Sequence, residues 1–273
     1  MMVEKFANLF DEHCKTITEC FPNRVLAVCV YGSQNYDLAT EASDIDTKAF
    51  ILPTLRELVQ YKKVSETITA DHTGGLCDAK HIDLMVENFL KGNINFLEVL
   101  YSPYQRVYGG ADMAELFHDL VEMRESIVHS DVRKMLHAAA GMAEQKYVAL
   151  KRPFEGKLEV LAKYGYDPKQ LASMYRLQYF LDTWEKTEDF WTSIHPKGEM
   201  KEIILEMKKG VLTEAEAVKA ADKCREWIQR YMERVDLKYP RESDNYRARV
   251  MHVRLHDWAY EVTKAAIQEE LSW

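Results

Sequence analysis

Absences narrow the field before any motif is found. In the 273 residues no apolar run approaches the roughly 18 residues needed to span a bilayer, and no basic-plus-apolar signal pattern stands at the N-terminus. A soluble, cytoplasmic protein with no membrane partner is therefore expected. The five cysteines, Cys14, Cys20, Cys29, Cys77 and Cys224, are an odd number without paired spacing, which fits reduced thiols better than a disulfide framework. There is no excess of positive charge. With Lys+Arg at 36, Asp+Glu at 44 and a net charge of -8, a broad non-specific nucleic-acid surface is disfavoured, because that affinity rests on phosphate neutralisation by cations. A local basic groove is still compatible with this balance. Repeats, low-complexity segments and a Gly/Ser linker are also missing.

What remains is ordinary globular composition, 47% hydrophobic and 29% charged, in a chain long enough for one large domain or two ordinary ones. The informative stretch is residues 25–52. It begins with an unbroken, β-branched apolar run from Val25 to Tyr31, too short for a buried helix and best read as a central strand. That strand ends in Gly32-Ser33. A second run, residues 45–52, opens with Asp44 and Asp46 two apart. Side chains at i and i+2 of a strand share a face, so the two carboxylates stand side by side. Adjacent like charges call for a cation, and hard oxygen ligands suit Mg²⁺, with Mn²⁺ as an alternative. Gly32 and Ser33 supply the phosphate half of such a site, through a close backbone approach, free N–H donors and a hydroxyl. Taken singly, each motif is an ordinary turn or helix cap.

Together they resemble something more specific. The order of apolar strand, Gly32-Ser33, loop and Asp44-Ile45-Asp46 resembles the DNA polymerase β-type nucleotidyltransferase superfamily. The fuller string G-S-Q-N-Y-D-L-A-T-E-A-S-D-I-D-T-K-A resembles a family of predicted nucleotidyltransferases of bacteria and their viruses. The resemblance implies an α/β (α+β) fold, a polymerase β-like core with a mixed sheet followed by a helical C-terminal domain.

Taken in order, Phe6, Phe10, Cys14 and Ile17 recur at helical spacing and mark an amphipathic first helix, stopped by Pro22-Asn23. His13 and Cys14 have no second ligand pair at zinc spacing. After the second strand, residues 55–61 read as a short helix, 64–69 as a third strand, 71–75 as a loop and 76–79 as a fourth strand. A helix with Ile82, Met85, Val86, Phe89 and Leu90 on its buried face follows. Two metal ions about 3.5–4 Å apart need a third carboxylate. Asp83 falls inside the helix, whereas Asp78 lies on the strand, and the resemblance of L-C-D-A-K-H-I-D-L-M and K-G-N-I-N-F-L-E-V-L to the family agrees with Asp78. His72, Cys77 and His81 cluster in sequence but lack a fourth ligand. Residues 91–96 end the helix, residues 96–100 are read as packing, and Tyr108-Gly109-Gly110 is a soft boundary.

Beyond residue 111 helical periodicity dominates, over 113–125, 132–151, 168–187, 201–209, 213–235 and 246–271. Residues 1–110 are thus expected to form the catalytic domain and 111–273 a helical domain closing the nucleotide cleft. Asp167-Pro168 is a helix start with a capping Asp and Pro at the first position. Lys169 and Arg176, seven apart, share a face and could meet nucleotide phosphates; a solvated face is the competing reading. The family resemblance continues through G-Y-D-P-K-Q-L, with Ala172 and Ser173 where the family carries a histidine. Lys146 and Lys151 could line a cleft, and Thr213 with Glu216 reads as a capping box. The implied activity is transfer of a nucleoside monophosphate from a nucleoside triphosphate to an acceptor hydroxyl, RNA being one candidate, with release of pyrophosphate. Asp44, Asp46 and Asp78 would hold two Mg²⁺ ions, and Gly32, Ser33, Lys169 and Arg176 the phosphates. Two alternatives are a superfamily enzyme that modifies a protein or small molecule and a nucleotide-binding regulator without turnover.

Overall fold

A computed structural model describes residues 2–40, 43–153, 155–241 and 245–272. Contacts divide the chain into two compact units, Met1–Asn35 with Ala39–Asp131 and Asp244–Trp273, and Tyr36–Leu38 with Val132–Ser243.

The first unit starts with α1 (Met2–Cys20), whose Phe10, Cys14 and Ile17 lie on one face at spacings of four and three. The strands β1 (Val25–Tyr31), β2 (Asp46–Ile51), β3 (Ser65–Thr69), β4 (Leu76–His81) and β5 (Gln105–Val107) form one sheet in the order β3-β4-β2-β1-β5. β2 runs parallel to β4, and the other neighbours are antiparallel. Period-two alternation sorts the sheet into two faces. Val28, Val30, Ala49, Ile51, Cys77 and Ala79 pack with α1 into one apolar cluster. On the opposite face, β2 presents Asp46, Lys48 and Phe50 in two-residue steps. Phe50 meets Phe89 of α3 (Ile82–Leu90) at 6.3 Å and Phe117 of α5 (Gly110–Glu122) edge-on at 5.4 Å, so helices cover the apolar end of that face. Its charged end is the region of Asp46 and Lys48.

The unit also holds α2 (Leu55–Val59), capped by a Thr54/Glu57 box, α4 (Ile94–Leu97) and α6 (Arg124–Val128). A last helix, α13 (Tyr246–Leu271), packs on α3 and α5, where Trp258 Nε1 donates to the Leu116 carbonyl at 2.7 Å. Mixed α and β structure was expected and is present. β5 was not expected: it is a three-residue edge pairing with β1, Ala27 opposite Val107, and carries no alternation to reveal it. The two-glycine turn at Gly109 and Gly110, with φ of 89° and 79°, leads straight into α5. The compact units separate after Asp131, and the apolar face of α5 is used against Phe50. A shift from strands to helices in sequence marks a change of element and not of packing partner.

The second unit comprises α7 (Val132–Ala149), α8 (Leu158–Tyr164), α9 (Pro168–Thr187), α10 (Phe190–Ile194), α11 (Gly198–Lys209) and α12 (Glu214–Lys238). α9 packs against α7, α10, α11 and α12 and buries Leu171, Met174, Leu177, Phe180 and Trp184, as a helix surrounded by others must. Asp167 caps it by accepting from the Lys169 N–H at 2.9 Å, and Thr213 and Glu216 form the capping box of α12. Among the described residues no helix is long and apolar enough to cross a membrane. All five cysteines are free thiols, and only Cys20 is exposed.

Candidate functional site

β1 ends where β2 begins, so Tyr31 and Asp46 are direct partners across the antiparallel pair. The chain then turns through a short 3-10 helix, Gly32–Gln34, closed by the Asn35 N–H on the Gly32 carbonyl at 2.9 Å. Gly32 sits at φ 82°, a region L side chains rarely adopt. A Cβ built on it would lie 3.8 Å from Asp46 Oδ2. The Gly-Ser turn and the second aspartate of the D-x-D motif thus lie side by side at the β1/β2 strand ends. Ser33 is half-buried and its hydroxyl has no hydrogen bond among the described residues. Asp44 is exposed, two residues ahead of Asp46, with Ile45 buried between them as the alternation requires.

Asp78 lies one step along the same sheet face, directly opposite Lys48 in the parallel β2/β4 register. Its carboxylate accepts from Lys48 Nζ at 3.0 Å and pairs with Lys80 Nζ at 2.9 Å. Burial would raise the Asp78 carboxyl, but the charge of Lys48 and the hydrogen bonds from both lysines outweigh it and hold it below the usual carboxylate range. The Lys48 side chain is 4% exposed and lies over the rings of Tyr31 at 4.0 Å and Phe96 at 3.9 Å. Burial lowers its ammonium pKa, and the charges of Asp78 and Glu98 oppose that shift. Burial, with the carboxylates of Asp46, Asp78 and Glu98, raises the Tyr31 phenol and keeps it protonated. Glu98 is fully buried, and the Gly32 N–H points to its Oε2 at 3.4 Å.

These donors can be tested against a metal. Among the described residues no three His, Cys, Asp or Glu side chains converge as a closed ligand set. Asp44 and Asp46 suit a hard cation that keeps water and phosphate oxygens in its shell, since Mg²⁺ commonly takes only one or two carboxylates. The charge of Asp78 is met by two ammonium groups, so an ion at Asp78 requires that carboxylate to leave Lys48 or Lys80.

The zinc reading of His72, Cys77 and His81 dissolves in three dimensions. His72 Nδ1 lies 2.7 Å from Glu12 at the surface, Cys77 is buried against α1, and His81 Nε2 is 3.3 Å from Glu57. On the α1 face, His13 joins Thr47 Oγ1 and Asp71 Oδ2, each at 2.8 Å. The order of hydroxyl, imidazole and carboxylate is that of a nucleophilic triad, but Thr47 is fully buried, and the network ties α1 and the loop after β3 to the sheet.

Lys169 and Arg176 belong to the second unit, and their environments differ. Lys169 is exposed. Arg176 is 9% exposed, and its guanidinium lies 4.2 Å from the centroid of the Tyr36 ring, in the segment Tyr36–Leu38 that clusters with this unit. Among the described residues Arg176 has no ion pair, and its Nη1 is buried without a hydrogen-bond partner. A cation–π contact contributes about 0.5–2 kcal/mol. That is less than the several kcal/mol it costs to take an ion out of water.

No protein-family model matches the chain. No curated protein matches it either.

Lys48 and Glu98 were not anticipated. Lys48 had a signal in the alternation, because it lies two residues beyond Asp46 and so shares its face. Glu98 is a single charge inside the apolar run F-L-E-V-L, a position that looks like packing until the fold brings it under Gly32.

Proposed function

We propose that the first unit is a polymerase β-type nucleotidyltransferase core, which moves a nucleoside monophosphate from a nucleoside triphosphate to an acceptor hydroxyl and releases pyrophosphate. The observation that carries this reading is that the Gly32-Ser33 turn and the Asp46 carboxylate are neighbours at the β1/β2 strand ends. Backbone that can approach phosphate and carboxylates that can hold its counter-ion stand side by side, as phosphoryl transfer requires. In this reading the hydroxyl of Ser33 and the backbone N–H groups of Ser33 and Gln34 bind phosphate oxygens. Asp44 and Asp46 hold a divalent ion, Mg²⁺ or Mn²⁺, which when bound neutralises the phosphates and favours ionisation of the acceptor hydroxyl. Asp78 is the third carboxylate, kept ionised by Lys48 and Lys80. The acceptor oxygen forms a bond to the α-phosphorus as the bond to the bridging α–β oxygen breaks, and the acceptor proton passes to a carboxylate of the site.

The test is incubation of the full chain with each α-labelled nucleoside triphosphate, Mg²⁺ and separate pools of RNA, protein and metabolites. Label should appear in one pool with stoichiometric pyrophosphate. Asp46→Asn, with its melting temperature unchanged, is expected to lower the rate by on the order of 10²–10³. Undiminished transfer in that variant removes the assignment.

A further inference from the structure

The two aspartates of the D-x-D motif are gripped from behind. Alternation sends Asp44 and Asp46 to one face and Ile45 and Thr47 to the other. β2 begins only at Asp46, and its pairing with β4 begins at Thr47 opposite Cys77, so Asp44 and Ile45 lie beyond the strand. The segment is held instead by α1 and by the turn between β3 and β4. His13 of α1 is fully buried, with Nδ1 2.8 Å from Thr47 Oγ1 and Nε2 2.8 Å from Asp71 Oδ2. Asp71 Oδ1 accepts from the N–H and hydroxyl of Thr73 at 2.7 and 2.6 Å and from the Gly75 N–H at 3.0 Å. The Ala70 N–H donates to the Gly75 carbonyl at 2.8 Å and closes the turn, and Thr16 Oγ1 of α1 donates to the Ala70 carbonyl at 3.0 Å.

Gly75 completes the arrangement. A Cβ built on it would lie 2.6 Å from the Ile45 carbonyl oxygen and 2.7 Å from His13 Nε2, and nearer still to Asp71 Oδ2, so only glycine lets the turn come this close to the backbone between the two aspartates. Asp46 is thus held on both sides, by the Ile45 backbone and by the Thr47 hydroxyl. Packing alone requires none of these polar groups, because Phe10, Cys14, Ile17 and Ile45 already fill the same face. A buried, satisfied hydrogen-bond chain fixes one arrangement where apolar contact alone permits several.

We propose, on the nucleotidyltransferase reading above, that His13, Thr47, Asp71 and Gly75 are positioning residues that set the direction of the Asp44 and Asp46 carboxylates. They brace the motif from the face opposite the reacting groups and touch neither the ion nor the nucleotide. Through that direction they govern the affinity for a divalent ion and the rate of transfer, as groups behind a metal ligand do.

The experiment compares Thr47→Val, Thr47→Ser and Gly75→Ala with the parent as full chains, by Mn²⁺ titration read by electron paramagnetic resonance, by kcat for nucleotide transfer and by melting temperature. Valine keeps the volume of threonine and loses the hydroxyl; serine keeps the hydroxyl. Well below their melting temperatures, Thr47→Val and Gly75→Ala should weaken Mn²⁺ binding and lower kcat by about tenfold or more each, while Thr47→Ser stays within about threefold of the parent. A purely structural role would lower the melting temperature and leave the Mn²⁺ affinity and kcat of the folded protein unchanged. Parental Mn²⁺ affinity and kcat in Thr47→Val, or a loss in Thr47→Ser as large as in Thr47→Val, overturns the proposal. A parent that binds Mn²⁺ without transferring nucleotide sinks the reaction alone, and the brace is then decided by Mn²⁺ affinity; a parent that binds no Mn²⁺ overturns the brace as well. Should Gly75→Ala fail to fold, the two Thr47 variants decide.

Discussion

Each unit holds a buried cation over an aromatic face, and the two cations are treated in opposite ways. In the first, Lys48 is sandwiched between Tyr31 and Phe96 and meets Asp78, while His13 meets Asp71. In the second, Arg176 is stacked on Tyr36 and meets no carboxylate among the described residues. Both cations lie on aromatic faces; only one has a counter-ion. A buried pair whose members are both present is near neutral in stability, whereas a lone buried charge is a standing cost that something outside the chain can relieve. The difference separates a buried cation met by a carboxylate from one that, among the described residues, has only an aromatic face.

Three substitutions test that contrast. The largest effect is expected at Lys48→Met, which strips Asp78 of its buried partner and leaves Lys80 alone beside it. Breaking a buried pair costs about 3–5 kcal/mol, to be read as a lower urea midpoint with an unchanged slope. Adding Asp78→Asn to Lys48→Met should recover part of the loss, because the carboxylate that lost Lys48 is then neutral. A Lys48→Met variant as stable as the parent would erase the contrast from the first unit's side.

Asp71 comes next. Burial would raise its carboxyl, but hydrogen bonds from Thr73, Gly75 and His13 hold it down at about 2. With the folded pKa below the unfolded one, the stabilisation is complete above about pH 4 and is lost as pH falls toward 2. Asp71→Asn is expected to cost about 2 kcal/mol at neutral pH and to flatten the acid limb of the stability curve. If that limb is unaltered, the carboxylate does not anchor the loop. The smallest effect is expected at Arg176→Met in ligand-free protein: a change within about 1 kcal/mol, on the stabilising side, since the variant removes an uncompensated charge and keeps apolar contact with Tyr36. A loss as large as that at Lys48 would show that Arg176 is structural and that the units do not differ.

Much of the first unit was legible because its signals are local. The apolar run of β1, the turn glycine and the i, i+2 aspartates each depend on a few adjacent residues, and the helix caps at Asp167 and Thr213 are equally short-range. β5 was hidden because three residues at a sheet edge need no pattern of their own when β1 provides the partner. The membership of α5 and α13 in the first unit was hidden for a related reason: an amphipathic face states that a helix packs and not against what.

Sequence alone determined the first four strands and the long helices, where Gly32 must turn, and that Asp44 and Asp46 would flank a buried Ile45, because periodicity and backbone sterics act within one segment. Only the tertiary structure decided that Asp78 would face Lys48, that Glu98 would lie beneath Gly32, and that Arg176 would be buried over Tyr36. The strength of a charge interaction depends on distance and on how much water is excluded, and both are set by residues remote in the chain.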